Sequence, residues 1–363
     1  MISLGDEYFR ENNRTGSKEQ AVFWYRKAAQ KKLPLGHYRY GVCLEFGWGI
    51  PKAPRQAFEQ YLAAGNFGAA QLRIAEMLLS GLPGDKTYPA VPQDKKKALE
   101  LMRTLCRANY YPALMKLAKL LYQDPESRKT NGKEIYQLVL QSSNAHPVPP
   151  EVLVFQAKLL QQGIGIAPDP VFARALLEIA AKQKHPEAEF MFAEILEFGN
   201  GTKPDKKRAF EFYKRAAAAE FSPALVRMGD FHLEGFQLEQ SPVKAVKFYE
   251  KAARKNFPPA LRKLGWCCEK GIGRAKDLQQ AFRCYERSAD LGDPEGSRQT
   301  GRCYLEGVGV KPDPAAAVYY FRRSAALGDK EGMLALAECL RTGRGCTQDE
   351  AMAERIREAA EKL

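Results

Sequence analysis

The sequence predicts an all-α solenoid of about ten stacked two-helix units. Three observations carry this prediction. One phrase recurs down the chain, as PALVRMGDFHLEG from Pro223, PALRKLGWCCEKG from Pro259 and PEGSRQTGRCYLEG from Pro294. Small residues hold fixed places within the phrase. Helix-start residues recur ahead of each expected helix. A fixed period of this length marks a repeat architecture, in which each unit buries its apolar face only against its neighbours.

The register follows from one small residue, taken as column zero. It falls at Gly36, Ala70, Ala113, Val152, Ala188, Ala224, Ala260, Gly296 and Gly332, with steps of 34, 43, 39 and then 36 five times. An earlier unit has its column zero just before Met1, so the chain opens inside a helix. Column five is Gly or Ala throughout: Gly5, Gly41, Ala75, Ala118, Ala157, Ala193, Gly229, Gly265, Gly301 and Ala337. Such a column lets two helices approach closely. Column eleven supplies the turn glycines Gly47, Gly81, Gly163, Gly199, Gly235, Gly271, Gly307 and Gly343. Column twenty-one is Ala except at Glu134, once a seven-residue insertion within Asp85–Val91 is allowed for.

Each unit reads as helix A, a Gly-rich turn and helix B. Helix A opens at a proline, as in His185-Pro186, Ser222-Pro223 and Asp293-Pro294. Proline is tolerated there because that N–H has no intrahelical partner. Helix B is preceded at column seventeen by Ser17, Asp94, Thr130, Asp169, Asp205, Ser241, Asp277, Asp313 or Asp349, and only Ala53 breaks the series. These side chains can accept from the orphan N–H groups of the first turn, each worth about 1 kcal/mol. Thr130 thereby supports the weak unit around Lys129–Gln141. The final helix, Gln348–Leu363, is rich in Glu, Arg and Ala, as an exposed end cap should be.

This pattern resembles the Sel-one-like repeats, relatives of the tetratricopeptide repeat. The family pattern A-x3-LG-x2-Y-x2-G-x-GV and D-x3-A-x2-YY-x-KAA is matched by ALRKLGWCCEKGIG from Ala260 and DKKRAFEFYKRAA from Asp205. The resemblance implies a right-handed α/α solenoid with helix A on the concave side. It implies scaffold or adaptor work and no catalytic residues. A length of 363 residues would ordinarily suggest two or three domains. The repeats replace that expectation with one continuous solenoid over 1–363, its units beginning near 1, 34, 68, 111, 149, 185, 221, 257, 293 and 329.

Composition narrows the function classes. The hydrophobic fraction is 45% and the charged fraction 27%, enough apolar material for a core. No apolar run approaches the roughly 18 residues of a membrane span. The N-terminus lacks an apolar signal core, so a cytoplasmic location is expected, or a secreted or periplasmic one if a leader has been removed. The net charge is +13 and uneven: residues 1–150 carry +9, 151–200 carry −3, 201–300 carry +7 and 301–363 are neutral. There is no Arg-rich tail and no nucleic-acid module. The basic ladder Lys27, Arg215, Lys251, Arg287 and Arg323 lies late in helix B and complements a helix C-terminus. No cofactor is expected.

Several motifs invite chemistry and are better read as framework. The GxG turns at Gly271–Gly273 and Gly307–Gly309 follow helices, whereas a dinucleotide fingerprint follows a strand. Asn131-Gly132-Lys133 lacks the earlier glycine of a P-loop. The histidines His37, His146, His185 and His232 are scattered, and no CxxC or HExxH spacing occurs among the eight cysteines and four histidines. A zinc site is therefore not expected. Cys43, Cys267, Cys303 and Cys339 share a column, and stacked helices hold such positions about 8–10 Å apart, beyond disulfide reach. A bridge from Cys267 to Cys284 within one unit is conceivable. The sequons at Asn13 and Asn200 read as chance.

Helix phase points to the functional face. At 100° per residue, columns zero, one, four, eight and eleven of helix A form its core side, and columns two, six, nine and ten lie opposite. In tetratricopeptide-like solenoids that opposite side faces the groove. Column two reads Tyr38, Leu72, Met115, Val154, Phe190, Val226, Arg262, Arg298 and Leu334. Two readings stand: the apolar members tile the inner wall, or they meet a partner. Arg262, Trp266 and Lys270 share one face by their four-residue spacing, and Arg298 and Arg302 repeat two of those columns. The expected function is a monomeric, non-enzymatic scaffold that binds a protein or peptide. Its apolar side chains would lie along Leu72, Met115, Val154, Phe190 and Val226, and its acidic group or C-terminus would meet Arg262, Arg298 and Arg302, with Trp266 as an apolar surface beside them and Lys270 on the same face. Glu269 and Glu306 lie close in sequence and would neutralise part of that charge. The alternative is a secreted or periplasmic member that binds cell-wall fragments or acts as an effector.

Overall fold

The computed structural model describes residues 1–10, 17–84, 87–144, 147–199 and 203–363. Asn13, Asn200, His146 and Asp85 lie outside the described residues. The described residues are helical apart from turns and one isolated antiparallel bridge, Leu82 to Val91, which closes the insertion after helix A of its unit. The chain forms two compact units, Met1–Ala173 and Arg174–Leu363.

In the first unit, α1 (Ile2–Arg10) packs on α2 (Ser17–Gln30), α3 (Pro34–Phe46) on α4 (Pro54–Ala63), and α5 (Gly68–Ser80) on α6 (Lys95–Arg107). Next come α7 (Tyr111–Gln123), the short α8 (Pro125–Thr130), α9 (Gly132–Ser142) and α10 (Pro150–Gln162). The helix α11 (Pro170–Lys182) carries the chain onward. In the second unit, α12 (Pro186–Phe198) pairs with α13 (Lys206–Ala218), and α14 (Ser222–Glu234) with α15 (Pro242–Arg254). The last pairs are α16 (Pro258–Lys270) with α17 (Leu278–Asp290), α18 (Pro294–Glu306) with α19 (Pro314–Ala326), and α20 (Lys330–Thr342) with α21 (Glu350–Glu361). Within each unit helix B also packs on the next helix A, as α2 on α3 and α4 on α5 in the first and α13 on α14 and α17 on α18 in the second, which makes each unit an α/α solenoid.

The small columns have a physical cause. A Cβ built on Gly265 would lie 2.7 Å from the Tyr285 ring, and Gly5, Gly41, Gly229 and Gly301 face Tyr25, Tyr61, Tyr249 and Phe321 in the same way. Column five is therefore the seat of a helix-B ring. Turn glycines do a second job. Gly307 ends α18 at φ +76°, in the left-handed region that a side chain disfavours. Two residues on, a Cβ on Gly309 would lie 1.9 Å from the Leu278 carbonyl oxygen, so the turn rests against the start of the preceding helix B.

Helix starts follow the predicted column with one correction. Asp94, Asp169, Asp205, Ser241, Asp277, Asp313 and Asp349 all accept from first-turn N–H groups of helix B. Thr130 does not. It ends α8, where its hydroxyl donates to the Glu126 carbonyl, and Asn131 precedes α9 without a side-chain cap. The extra turn of α8 displaces the column there. Helix A is capped as well, by Asp293, Asp329 and, at 3.4 Å, His185. The basic ladder also behaves as framework: Arg215 donates to the Ala181 carbonyl at 3.2 Å and Arg323 to the Ala289 carbonyl at 2.6 Å, each at the end of the preceding helix B.

Candidate functional site

Many charged residues of helix A sit at columns three, six and nine, and they answer one another across repeats. Column three is basic at Arg39, Arg73, Lys116, Arg227 and Lys263. Arg39 meets Asp6 at 3.3 Å, Arg73 donates to Glu45 at 3.1 Å and pairs with Glu76, and Lys116 also pairs with Glu76. Arg227 pairs with Glu197 at 2.5 Å and Lys263 with Asp230 at 3.0 Å. The same carboxylates accept from helix-B hydroxyls: Tyr25 to Asp6 at 2.7 Å, Tyr61 to Glu45 at 2.7 Å, Tyr213 to Glu197 at 2.9 Å and Tyr249 to Asp230 at 2.7 Å. Burial first, and then the nearby carboxylate, push the hydroxyls of Tyr25, Tyr213 and Tyr249 well above the ordinary tyrosine range.

This pairing corrects the predicted phase. Column nine is not free surface, because Glu269 is buried and accepts from Tyr285 at 3.1 Å. Column two is not free either. Leu72, Val154 and Val226 are buried in the core, so they offer a partner almost no surface. Tyr38 and Phe190 are half-buried: Tyr38 lies 5.3 Å from Phe67, and Phe190 lies 5.5 Å from Phe221, ring centre to ring centre. Met115 is half-buried and packs against the first unit's core. The cause is stacking. Column two meets the first turn of the next helix A, which a calculation on one isolated helix does not include.

The arginine members are engaged in the same way. Arg262 pairs with Asp293 at 2.8 Å and with Glu295. Arg298 pairs with Asp329 at 2.9 Å and Glu331 at 2.8 Å. Arg302 pairs with Glu269 at 2.6 Å and Glu306 at 3.1 Å. Burial opposes the charged forms of Glu269 and Arg302, yet their mutual pairing prevails. Glu269 titrates below the usual glutamate range and Arg302 above its ordinary value.

Four of the five residues expected to cluster do share one cleft. Arg262, Trp266, Lys270 and Arg302 line a cavity of about 460 Å³ between α16 and α18, with Lys263, Glu269, Tyr285, Glu295 and Gln299. Trp266 is 39% exposed there, and the Lys270 side chain 57%. Arg298 instead lines an adjoining cavity of about 770 Å³, shared with Arg302, Leu305, Glu331 and Arg344. Lys263 was missed by the groove reading, although the recurring basic column three was a signal for it. Gln299 had no such signal.

Among the described residues, no three His, Cys, Asp or Glu side chains come together to hold an ion. All eight thiols are free, and only Cys346 is not buried. The conceivable bridge from Cys267 to Cys284 is not formed; the thiol beside Cys284 is Cys268, because column eight faces helix B. Among the described residues, no helix is long and apolar enough to cross a membrane.

Comparison with known proteins agrees with this architecture. A protective antigen from uropathogenic Escherichia coli strains, which displays the same repeat fold, superposes with a TM-score of 0.58 at 21% identity, over 99% of this chain and 79% of that one. The Sel1 repeat protein from Oxalobacter formigenes superposes with a TM-score of 0.54 at 23% identity, over 72% of this chain and 96% of that one. These likenesses concern the fold alone. No curated protein matches the sequence significantly. The Sel1 repeat model matches residues 1–33, 34–64, 68–110, 157–185, 186–221, 222–257, 258–293, 294–329 and 330–355. The unmatched stretch after residue 110 contains α8, where the repeat landmarks drift. With nine matched repeats spread over most of its length, the chain belongs to the Sel1 repeat family.

Proposed function

We propose that this protein is a non-enzymatic scaffold that holds a protein partner at the cleft between α16 and α18. One observation carries the proposal: an exposed tryptophan, Trp266, stands in a cleft beside the exposed cation Lys270 and among the ion-paired Arg262, Lys263 and Arg302. A partly exposed tryptophan in a concavity is a common anchor of binding energy. The exposed ammonium of Lys270 suits a segment with an acidic group. Lys270 is 3.3 Å from Glu269, yet its side chain is 57% exposed, whereas Arg298 and Arg302 are more buried against Asp329 and Glu269. The apolar column two supports the fold, with Leu72, Val154 and Val226 buried between helices. A reducing compartment fits the eight free thiols, and with it a cytoplasmic location.

The test is affinity capture with mass spectrometry, comparing wild type, Trp266→Ala with Lys270→Glu, and a control with Lys311→Glu and Lys362→Glu. A partner recovered by wild type and control, and reduced at least tenfold by the cleft variant, is the expected result. Equal recovery by all three would exclude the cleft.

A further inference from the structure

On the helix-B face of the second unit many cations pair with carboxylates, as Arg215 does with Glu189 and Lys206 with Glu234, but one group on α15 and α17 does not. On α15, Lys244, Lys247, Lys251 and Arg254 recur at three- and four-residue spacing, which aligns them along one side of the helix, and all four are exposed. On α17, the equivalent helix of the next repeat, Arg283 and Arg287 are exposed and four residues apart. Among the described residues, Lys244, Lys247, Arg254 and Arg283 form no ion pair, and Lys251 lies over the Phe248 ring. Arg287 hydrogen-bonds to the Asn256 amide oxygen.

Three of these guanidinium groups meet at a cavity. Arg254, Arg283 and Arg287 line a cleft of about 370 Å³, together with Gln280 and Glu250. Glu250, the only carboxylate among the lining residues, is held by Arg274 at 3.5 Å. Like charges gathered on neighbouring helix surfaces repel, so the cluster costs stability in the free protein. An anion seated between them would reverse that cost. Guanidinium forks suit bidentate contact with phosphate oxygens, and three of them match a phosphate carrying nearly two charges better than a single carboxylate.

The geometry points to a docking site for a phosphorylated side chain of a protein partner, seated at Arg254, Arg283 and Arg287. Acidic residues flanking the phosphate would run along Lys251, Lys247 and Lys244. Lys244 to Lys251 spans about 10 Å of helix, the length of two turns. Apolar side chains flank the cluster, with Val243 54% exposed at one end and Leu291 44% exposed at the other, as a protein contact wants. The rings on these helices do not form a stacking platform: Phe282, Tyr249 and Tyr285 are buried and Phe248 is half-buried under Lys251. Single-stranded nucleic acid draws much of its affinity from such stacking, so a phosphoprotein fits better. The site is separate from the Trp266 cleft, and either can fail without the other.

The experiment is fluorescence anisotropy on the full chain. The probes are a labelled peptide with one phosphoserine between Asp and Glu residues, its unphosphorylated form, a form with Glu-Glu in place of phosphoserine, and a ten-nucleotide RNA. The proteins are wild type, Arg254→Gln with Arg283→Gln, and a control with Lys311→Gln and Lys362→Gln. These are exposed positions, and circular dichroism verifies that each variant is folded. The phosphopeptide is expected to bind wild type and control within twofold of each other, at least tenfold tighter than the other peptides and tighter than the RNA. The cleft variant should lose at least tenfold. Equal affinity for the phosphorylated and unphosphorylated peptides, or for the Glu-Glu form, would overturn the phosphate site. Tighter RNA binding would overturn the partner class, and an equal loss in the control would reduce the effect to net charge.

Discussion

Arg298 donates from Nε to Asp329 Oδ2 at 2.9 Å, and that same oxygen accepts from Ser324 Oγ at 2.8 Å and from the Gly332 N–H at 3.0 Å. One carboxylate thus caps α20 and ties it to the two helices of the preceding repeat. The device recurs one repeat earlier, where Asp293 accepts from Ser288 at 2.8 Å and Gly296 at 2.7 Å and pairs with Arg262 at 2.8 Å. Where column two is aromatic, its partner at the next helix start is aromatic too, as in Tyr38 with Phe67 and Phe190 with Phe221. The two positions change together between charged and aromatic, which makes them one interface between stacked repeats.

Breaking that interface should cost stability and not merely charge. Arg298→Ala is expected to lower the unfolding free energy by about 1–3 kcal/mol, because it removes a charged hydrogen bond and leaves Asp329 half-buried and underpaired. Asp329→Ala adds the loss of a helix cap, about 1 kcal/mol. The double variant should cost less than the sum of the two singles. Denaturant unfolding of all four proteins measures the coupling, and strict additivity would show that the two side chains do not interact.

The small column makes a sharper size prediction. Gly265→Val should destabilise the second unit by about 1–3 kcal/mol, since its side chain would collide with a Tyr285 ring fixed by Glu269. Gly265→Ala should be far milder, because Ala193 already occupies column five in another repeat, with Tyr213 at the ring position of helix B. Thermal melts of the two variants give the comparison. Equal losses would place the whole constraint on the first side-chain carbon, which lies 2.7 Å from the Tyr285 ring.

Column five, the turn glycines and the helix-B caps were legible in the sequence because each depends on contacts within one unit. The register of Gly265 against Tyr285 returns whenever the unit returns. The role of Arg262 and Arg298 was not legible, because their partners lie on the next repeat, 31 residues away, and phase on an isolated helix aims them at solvent. Spacing alone places Arg262, Trp266 and Lys270 on one helix face, and they line one cavity. It does not reveal that Arg302 spends its charge on Glu269. Thr130 misled because α8 inserts a turn that no column anticipates.

Thiol reactivity should separate one cysteine from seven. Burial pushes Cys43, Cys106 and Cys267 up to about 11 and Cys303 up to about 12, so their thiolates are scarce at neutral pH. Cys346 is the half-exposed member. In the native protein, iodoacetamide at pH 8 should label Cys346 first, and all eight should react after denaturation without reductant. Intact mass measurements read both numbers. Four or more unreactive cysteines in the denatured chain would reveal disulfides and an oxidising origin.

Glu269 provides a pH test. Its pKa in the folded protein lies below the usual value of about 4.3, because Arg302 and Tyr285 outweigh the opposing effect of burial. A depressed carboxylate contributes stability that is complete above the unfolded pKa and is lost as pH falls through the folded one. Glu269→Gln should therefore be less stable than wild type by about 1–3 kcal/mol at pH 7. The gap should start to close near pH 4.3 and continue to shrink below it. Denaturant midpoints from pH 7 down to the acid limit of folding test this. A gap that stays constant with pH would mean that the ionised form is not what stabilises the site.

The last helix of this sequence, α21, packs on α20 at little depth. Ala353 and Ala360 are its buried residues, and Ile356 packs alongside at the edge of the terminal core. Yet it covers Leu336 and Leu340 of α20, which are only 6% and 7% exposed. Deleting residues 348–363 would uncover both leucines and leave an apolar stripe where a repeat array needs a polar end. Because each repeat contacts only its neighbours, the damage should stay local. The helices before α18 should keep their circular dichroism signal, while α20 frays and the truncated chain self-associates. Light scattering and a melt of the truncated protein measure the two effects. Replacing Leu336 and Leu340 by Gln in the truncated chain should reduce the association without restoring the lost stability. If truncation leaves solubility and melting unchanged, α21 is not the cap, and the stack ends at α20 by its own chemistry.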